Sequence, residues 1–131
     1  MPFVARAKAF LQNQGNLAGE RRLPEMIESV RYMLDNAVGV YNAISTGRIV
    51  EHLQDMGYPT ESREDWQINI LGPLRRNGIF IGSKRDTGMF IIQDINDAKI
   101  VIEQIERRID EETSRLEILR RMVADVGWAI D

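Results

Sequence analysis

Residues 62–93, SREDWQINILGPLRRNGIFIGSKRDTGMFIIQ, decide how the chain is expected to fold. Ser62 can cap the free amides of a first helical turn, and Glu64-Asp65 follows where the positive end of the helix dipole favours acids. Apolar side chains then recur at helical spacing, at Trp66, Ile70, Leu71 and Leu74. Asn77-Gly78 ends the run. The pattern predicts one helix, over about residues 62–77, with one buried side.

Two short apolar runs follow this helix, Ile79-Phe80-Ile81 and residues 89–92. The polar segment between them, residues 82–88, contains two glycines and the adjacent cations Lys84 and Arg85. Two β-rich runs around a polar loop with glycine are typical of a hairpin. We therefore predict a helix that leads directly into a hairpin with a basic tip.

The segment LGPLRRNGIFIGSKRDTGMFII, residues 71–92, resembles winged-helix DNA-binding proteins. In that family a recognition helix ends in Leu-Arg and a glycine, and a strand, a short wing and a Gly-aromatic strand follow. Small members are common among phage, mobile-element and bacterial regulatory proteins. The resemblance covers about residues 24–93. It implies a mainly α (α+β) fold, a winged helix-turn-helix, with double-stranded DNA as the partner.

Two features of the segment depart from the family's pattern. The helix opens with two acids and its basic residues come late, which weakens the case for base recognition along its whole length. Gly72-Pro73 also falls inside the helix, and proline lacks the amide hydrogen that the helical ladder needs. We expect the helix to kink or to restart at that point.

Residues 24–61 supply the elements that this fold places before the hairpin. Pro24 suits the first turn of a helix that reaches about Ala37. Its predicted buried stripe is Ile27, Val30, Leu34 and Ala37. Val38–Ile44 is predicted to be a turn or a short strand, and Ser45 or Thr46 can then cap a helix that ends near Met56. The predicted inner face of this second helix is Ile49, Leu53 and Met56.

The chain begins with a short amphipathic segment, residues 2–13, with Phe3, Ala7 and Phe10 on one side. A helix of about three turns does not persist alone in water, so it must dock on its own domain or on a partner chain. The polar, glycine-containing stretch 14–22 is predicted to be a linker. We divide the chain into an N-terminal helix and linker (1–22), a winged-helix domain (23–93) and a C-terminal helix (94–131).

The C-terminal segment is predicted to be one long helix, capped by Asn96 or Asp94, with no breaker before Gly127. Apolar side chains repeat in steps of four and three, chiefly at Ile102, Ile105, Ile109, Leu116, Leu119 and Val123. At about 1.5 Å per residue the stretch 98–126 spans about 43 Å, more than a small domain can cover. We therefore predict a coiled-coil homodimer.

The direction of the two helices stays open. In a parallel dimer in register, Arg115 of one chain would face Arg120 of the other, and Glu112 would meet its own copy in the seam. Both contacts disfavour that arrangement modestly, so antiparallel or offset packing is an alternative.

Composition narrows the class of protein. A charged fraction of 28% and an apolar fraction of 44% are those of a folded chain. There is no cysteine, which excludes disulfides and thiolate metal sites. No run approaches about 20 apolar residues, so we expect no membrane span, no signal peptide and a cytoplasmic location. The net charge is −3, but residues 63–93 carry five bases and three acids, so a local basic surface is possible.

No group of residues points to catalysis. The single histidine, His52, has no second histidine or any cysteine to join it in a metal site. Glu64 and Asp65 are adjacent on a helix and therefore point in different directions. Gly82 and Gly88 flank a turn between strands, whereas phosphate-cradling loops precede a helix. We predict a protein that is not an enzyme and that has no cofactor and no metal site.

The candidate DNA-binding residues lie on the outer face of the 62–77 helix, at the hairpin tip and at two helix starts. Asn69 can offer adenine a paired donor and acceptor, and Arg75 or Arg76 can pair with guanine or a phosphate. The tip cations, Lys84 and Arg85, would meet the DNA backbone or the minor groove. The two helix-start residues, Arg48 and Arg63, would contact phosphates. For each of these residues the alternative is an ordinary solvated side chain.

Two functions fit these patterns. The first is a dimeric DNA-binding protein, a transcriptional regulator or a phage or mobile-element accessory protein, with the 62–77 helix in the major groove and the 82–88 wing on the backbone. The second is an assembly module that holds a protein partner and binds no nucleic acid. DNA binding predicts that four cations, Lys84, Arg85, Arg75 and Arg76, converge on one uninterrupted positive face. Scattered cations, or the helix-start acids projecting into that face, would favour the protein-binding role.

Overall fold

A computed structural model describes residues 2–13 and 21–128. The helices are α1 (Pro2–Gln12), α2 (Leu23–Asn36), a 3-10 turn (Val40–Asn42), α3 (Thr46–Asp55), α4 (Arg63–Trp66), a π-helical segment (Gln67–Leu71), α5 (Gly72–Arg76) and α6 (Ile95–Asp125). The strands are β1 (Ile81–Lys84) and β2 (Gly88–Ile91). The predicted α+β winged-helix architecture with a long C-terminal helix is confirmed. The predicted linker lies mostly outside the described residues, which include only its last two positions, Arg21 and Arg22.

The predicted buried side of the 62–77 helix is confirmed. Trp66, Ile70 and Leu74 have no exposed surface, and Leu71 is nearly as buried. The indole nitrogen of Trp66 donates a 3.0 Å hydrogen bond to Ser29 Oγ of α2, so its polar atom is satisfied inside the core. Truncating a buried tryptophan typically costs about 3–5 kcal/mol, which makes this side of the helix a major source of stability.

The buried face of α2 is rotated from the predicted one. Met26, Val30 and Met33 are fully buried, whereas Ile27 and Leu34 are partly exposed. The stripe keeps Val30 and Ala37 of the predicted set but is displaced toward the methionines, whose unbranched side chains adapt to irregular core packing.

The first and third helices pack as follows. α1 docks on α2 and buries Val4, Ala7 and Phe10 in the shared core, so its partner is its own domain. Of the two caps predicted for α3, Ser45 and Thr46, the structure uses Ser45, whose hydroxyl accepts from the amide of Arg48 at 3.2 Å. The prediction that Met56 is buried was wrong: α3 ends at Asp55, and Met56 is 50% exposed.

The helix passes through Gly72-Pro73 without restarting. The Gly72 amide donates to the carbonyl of Gln67, five residues back, which makes the turn π-helical and wider than an α-turn. In a regular α-helix the Pro73 ring would press on the carbonyl of Asn69, and a wider turn relieves that clash. Leu71 and Gly72 keep helical backbone angles. The predicted interruption is therefore one π-turn inside a continuous helix over residues 63–76.

A polar cluster attaches the start of this helix to α2. The guanidinium of Arg22 donates to Glu25 at 2.5 Å and makes two 2.9 Å hydrogen bonds to Asp65. The Thr60 hydroxyl also donates to Glu25, which is almost completely buried. The predicted cap Ser62 is confirmed, since its hydroxyl accepts from the Asp65 amide at 3.0 Å. Asp65 is thus ion-paired within the fold.

The cluster shifts the pKa values of its carboxylates. Hydrogen bonds from Arg22 and from the Glu61 amide hold the pKa of Asp65 far below its usual range. Burial by itself would raise the pKa of Glu25, but the hydrogen bonds from Arg22 and Thr60 together outweigh burial and lower it. Both acids are therefore charged at neutral pH, and their charge stabilises the folded state.

The hairpin closes against the segment between α2 and α3. β1 and β2 are antiparallel, with Ile81 opposite Ile91 and Lys84 opposite Gly88. The predicted turn or short strand at residues 38–44 is observed as two isolated bridges to β2, on either side of the 3-10 turn. Gly88 has a φ of +128°, and a Cβ there would overlap the carbonyl oxygen of Ile44. Only glycine fits at this contact.

The last helix leaves the domain after its first turns. Asp94 is its cap, accepting from the Asp97 amide at 2.9 Å. Val101 is buried against the hairpin. Farther along, five residues of the predicted seam are between 40% and 59% exposed, namely Ile102, Ile105, Ile109, Leu116 and Leu119, and Val123 is partly exposed. Across residues 2–13 and 21–128, no helix combines the length and apolar content that crossing a bilayer requires.

We expect Gly88→Ala to lower the free energy of unfolding by roughly 2–4 kcal/mol, because it adds a backbone clash to a strained φ. Gly78→Ala is the matched control: Gly78 also has a positive φ, of +85°, but a Cβ there meets nothing within 4 Å. The control should lose only about 1–2 kcal/mol. Urea denaturation of both variants measures the difference, and equal losses would contradict the close approach to Ile44.

We expect Arg22→Met to lower the free energy of unfolding at pH 7 by about 2–4 kcal/mol, since it leaves the buried carboxylate of Glu25 without its cation. Glu25 and Asp65 have lowered pKa values in the folded state. Their contribution is therefore present above their unfolded pKa, near 4, and is lost as the pH falls through the folded values. The loss in the variant should be largest at neutral pH and should shrink in acid.

Arg31→Met is the control for this prediction. Arg31 forms a 3.0 Å ion pair with Glu28 on the same helix, but its side chain is 52% exposed. Glu28 is buried, but it keeps a second partner in His52 Nε2 at 2.9 Å, so this variant should lose only about 0–1 kcal/mol. Urea denaturation of both variants and the parent between pH 3 and pH 7 measures the two losses of unfolding free energy. A loss in Arg22→Met that did not change with pH would contradict the assigned role.

Candidate nucleic-acid interface

A cation-rich groove of about 590 Å³ lies between the hairpin tip, the starts of α3 and α4, and the stretch 104–111 of α6. Five basic residues line it: Arg63, Lys84, Arg85, Arg107 and Arg108. Two acids, Asp86 and Glu111, line it as well. In the described parts of the chain, none of the five bases forms an ion pair. The groove therefore has an excess of unpaired positive charge.

The hairpin turn presents its cations outward. The Thr87 amide and hydroxyl both donate to the carbonyl of Lys84, at 3.1 and 3.0 Å, which closes the turn. Asp86 occupies the left-handed region with a φ of +69°, a conformation that Asp tolerates better than most residues. Lys84 and Arg85 are consequently exposed on a turn of defined shape.

The side chain of Gln104 joins this turn to α6. Its amide nitrogen donates to the carbonyl of Ser83 at 2.6 Å, and its oxygen accepts from the Arg85 amide at 2.7 Å. The hairpin and α6 are therefore held in a defined relative position. The sequence analysis missed Gln104, because a lone glutamine in a charged helix carries no signal of its partner.

Arg107 and Arg108 were missed for a different reason. The sequence analysis treated the last helix only as a surface for a second chain. The available signal was the adjacent basic pair in a segment, residues 94–131, that carries six bases against ten acids. That signal indicates a local positive charge, but it does not show which other residues the two arginines face.

The predicted phosphate contacts at helix starts are placed differently. Arg63 lies against the first turn of α3, since a Cβ at Gly47 would stand 2.7 Å from Arg63 Nη2. Its position brings it into the groove with the hairpin cations. Arg48 is exposed on the first turn of α3 but is not part of the groove lining.

Arg75, a predicted DNA contact, is engaged within the fold. Its Nε and Nη2 donate to the carbonyl of Ile81 at 2.9 and 2.6 Å, and its guanidinium carbon lies 4.9 Å from the centre of the Phe80 ring. Burial, followed by the nearby positive charge of Arg108, lowers the pKa of Arg75. The turn at Asn77-Gly78 brings the first strand back beside the helix, and Arg75 fixes the two together.

Arg76 and Asn69 lie in a second depression, of about 830 Å³, which Arg21 and Ile68 also line. Both are exposed, and the Asn69 amide donates to Asp65 Oδ1 at 2.8 Å. The salt-bridged Asp65 therefore orients Asn69. Gln67 lines the groove and its neighbour Ile68 lines the second depression, so the outer face of the 63–76 helix lies between the two concavities.

The four cations that DNA binding was expected to bring together do not form one uninterrupted face. Lys84 and Arg85 line the groove, Arg76 lines the second depression, and Arg75 is engaged inside the fold. Glu64 is exposed on the helix between them. The groove is instead lined by other basic residues, Arg63 of α4 and Arg107 and Arg108 of α6.

The side chain of His52 packs and hydrogen bonds against residues of α2. Its Nε2 lies 2.9 Å from Glu28 Oε2, and its ring stacks on Tyr32 with a centroid distance of 4.0 Å. These contacts join α3 to α2, on elements that pack in the core.

Comparison with known proteins gives one informative relationship. No family model matches the chain, and no solved structure matches it. A curated relative from Methanocaldococcus jannaschii, named "Putative control protein C.MjaVP", is 31% identical over 120 residues, which span 88% of this chain and 72% of the relative. Identity at this level over most of both chains shows common descent, and the name is that of a regulator. The chain therefore belongs to the family of this control protein.

Proposed function

We propose that this protein is a non-enzymatic transcriptional regulator that binds double-stranded DNA as a homodimer. The groove is the observation that carries the proposal. Three of the predicted DNA-contact residues, Arg63, Lys84 and Arg85, line it together and have no ion pair among the described residues. Membership of a control-protein family supports a regulatory role.

The proposed docking follows from the position of the 63–76 helix. Its outer face lies between the groove and the second depression, and a B-DNA major groove, about 12 Å wide, admits one helix. With the helix in the major groove, Asn69 and Arg76 meet base edges, and the hairpin tip meets the backbone on one flank. Asp65 is paired with Arg22, which it shares with Glu25, and this pairing weakens its repulsion of the phosphates.

The proposed dimer uses the exposed seam of α6. Fully burying one large aliphatic side chain contributes about 1.5–3 kcal/mol, so five half-exposed ones represent a substantial driving force for association. A second copy of the chain is the simplest partner that offers a matching helix. In this arrangement residues 23–93 bind DNA, and residues 94–131 set the distance between the two DNA-binding units.

One observation favours the alternative function, assembly with a protein partner. Ile68 is 59% exposed on the outer face of the helix, where an apolar side chain also suits a protein surface. The separation of Arg76 from the groove points the same way. A protein-binding module would bind no DNA even at low salt.

We expect the protein to bind random duplex DNA weakly, with an affinity that falls steeply as salt rises. Lys84→Ala with Arg85→Ala should weaken binding to every sequence and reduce the slope of log affinity against log salt by about 1.8. Fluorescence anisotropy titrations at several salt concentrations measure both quantities. The control is Arg6→Ala with Lys8→Ala, which removes the same charge from exposed positions of α1. Absence of binding at low salt would refute DNA binding.

We expect light scattering to give at least twice the chain mass of 15.0 kDa. Ile109→Asp should reduce that mass, since it places a charge in the seam, where Ile109 is 58% exposed in one chain. Ser114→Asp adds the same charge at an exposed position that faces away from the seam, given about 100° per residue, and should leave the mass unchanged. A monomeric parent protein would contradict the proposed dimer.

A further inference from the structure

We infer that α6 is itself part of the DNA interface, with Arg107 and Arg108 holding a backbone phosphate together with the hairpin cations Lys84 and Arg85. This inference rests on the proposed DNA binding and extends it to a helix that the sequence analysis assigned only to dimerisation. The ligand chemistry is a phosphodiester of duplex DNA, bound by charge and by guanidinium donors.

The side of α6 that faces the hairpin is established by direct contacts. Gln104 hydrogen bonds to both Ser83 and Arg85. Residues three and four positions apart share one side of a helix, so Arg107 and Arg108 lie one turn farther along the side that Gln104 turns toward the hairpin. Both arginines line the groove.

The charges in the groove favour an anionic occupant. Five bases face two acids, Asp86 and Glu111, and within residues 2–13 and 21–128 the bases make no ion pair. Arg108 is also close enough to Arg75 to help lower the pKa of that residue. A concave surface concentrates the field of such a cluster, which attracts phosphate more strongly than scattered cations on a flat surface.

The apolar seam does not compete with this site. At about 100° per residue, Ile105 and Ile109 lie roughly a quarter turn around the helix from the side that carries Gln104 and Arg108. One helix can therefore bind a second copy and a phosphate simultaneously. Because Gln104 also joins α6 to the hairpin, the distance between the two hairpins of a dimer would be set by α6 alone.

The test compares two double variants of α6, each of which replaces two consecutive arginines. Arg107→Ala with Arg108→Ala should reduce the salt slope on a random duplex of about 30 base pairs by about 1.8, and should weaken binding on the order of 10- to 100-fold near 0.1 M salt. Arg120→Ala with Arg121→Ala removes the same charge from exposed positions beyond the groove and should change little. Circular dichroism and light scattering verify that both variants keep the helix content and mass of the parent.

Two further variants distinguish an effect of charge on DNA binding from an effect on folding. Arg107→Lys with Arg108→Lys should keep the parental salt slope, because the positive charges remain. Glu111→Gln removes an acid from the groove and should strengthen binding severalfold. If the parent protein binds DNA and the two alanine pairs behave alike, or if Glu111→Gln does not strengthen binding, α6 is not a phosphate contact and DNA binding itself stands. If the parent binds no DNA at low salt, the proposed function fails first.

Discussion

The buried side of the 63–76 helix is the constraint on which the rest of the structure depends. Trp66, Ile70 and Leu74 have no exposed surface, so the rotation of the helix about its axis is set by the core. The polar cluster around Arg22 also orients the helix, because Asp65 must reach the guanidinium and Glu25 must stay paired. A helix held by both apolar packing and charge presents one fixed outer face to solvent.

Packing beneath that outer face determines which nearby charged side chains are engaged within the fold and which are exposed to solvent. Arg75 is adjacent to Arg76 in sequence, yet it bonds the carbonyl of Ile81 while Arg76 lines a surface depression. A carbonyl that the returning strand leaves beside the helix end needs a donor, and a half-buried guanidinium supplies two. The same logic applies to Asp65, which looked like an unfavourable acid at a phosphate surface and is in fact a structural anchor.

The last helix connects the two proposed activities of the protein. Its first turns pack on the hairpin through Val101 and Gln104, while the apolar seam, which starts at Ile102 on another side of the helix, stays exposed. A rigid helix of 31 residues transmits position along its length, about 1.5 Å for each residue. Pairing of two such helices would therefore determine the relative positions of the two hairpins, with no flexible segment between them.

Local chemistry was enough for the sequence to predict the order and type of the elements. The cap Ser62, the buried side around Trp66 and the apolar seam follow from side-chain types at helical spacing, because those interactions occur within a few residues. For α3 and α6 the sequence narrowed the cap to two candidates each, of which the structure uses Ser45 and Asp94. Tertiary structure alone decided which charges are free. Arg22 and Arg75 are bound by groups 43 and 6 residues away, whereas Arg63, Lys84 and Arg107 meet in one groove. Ion pairs between distant segments depend on how the core orients each helix, and no local pattern encodes that orientation.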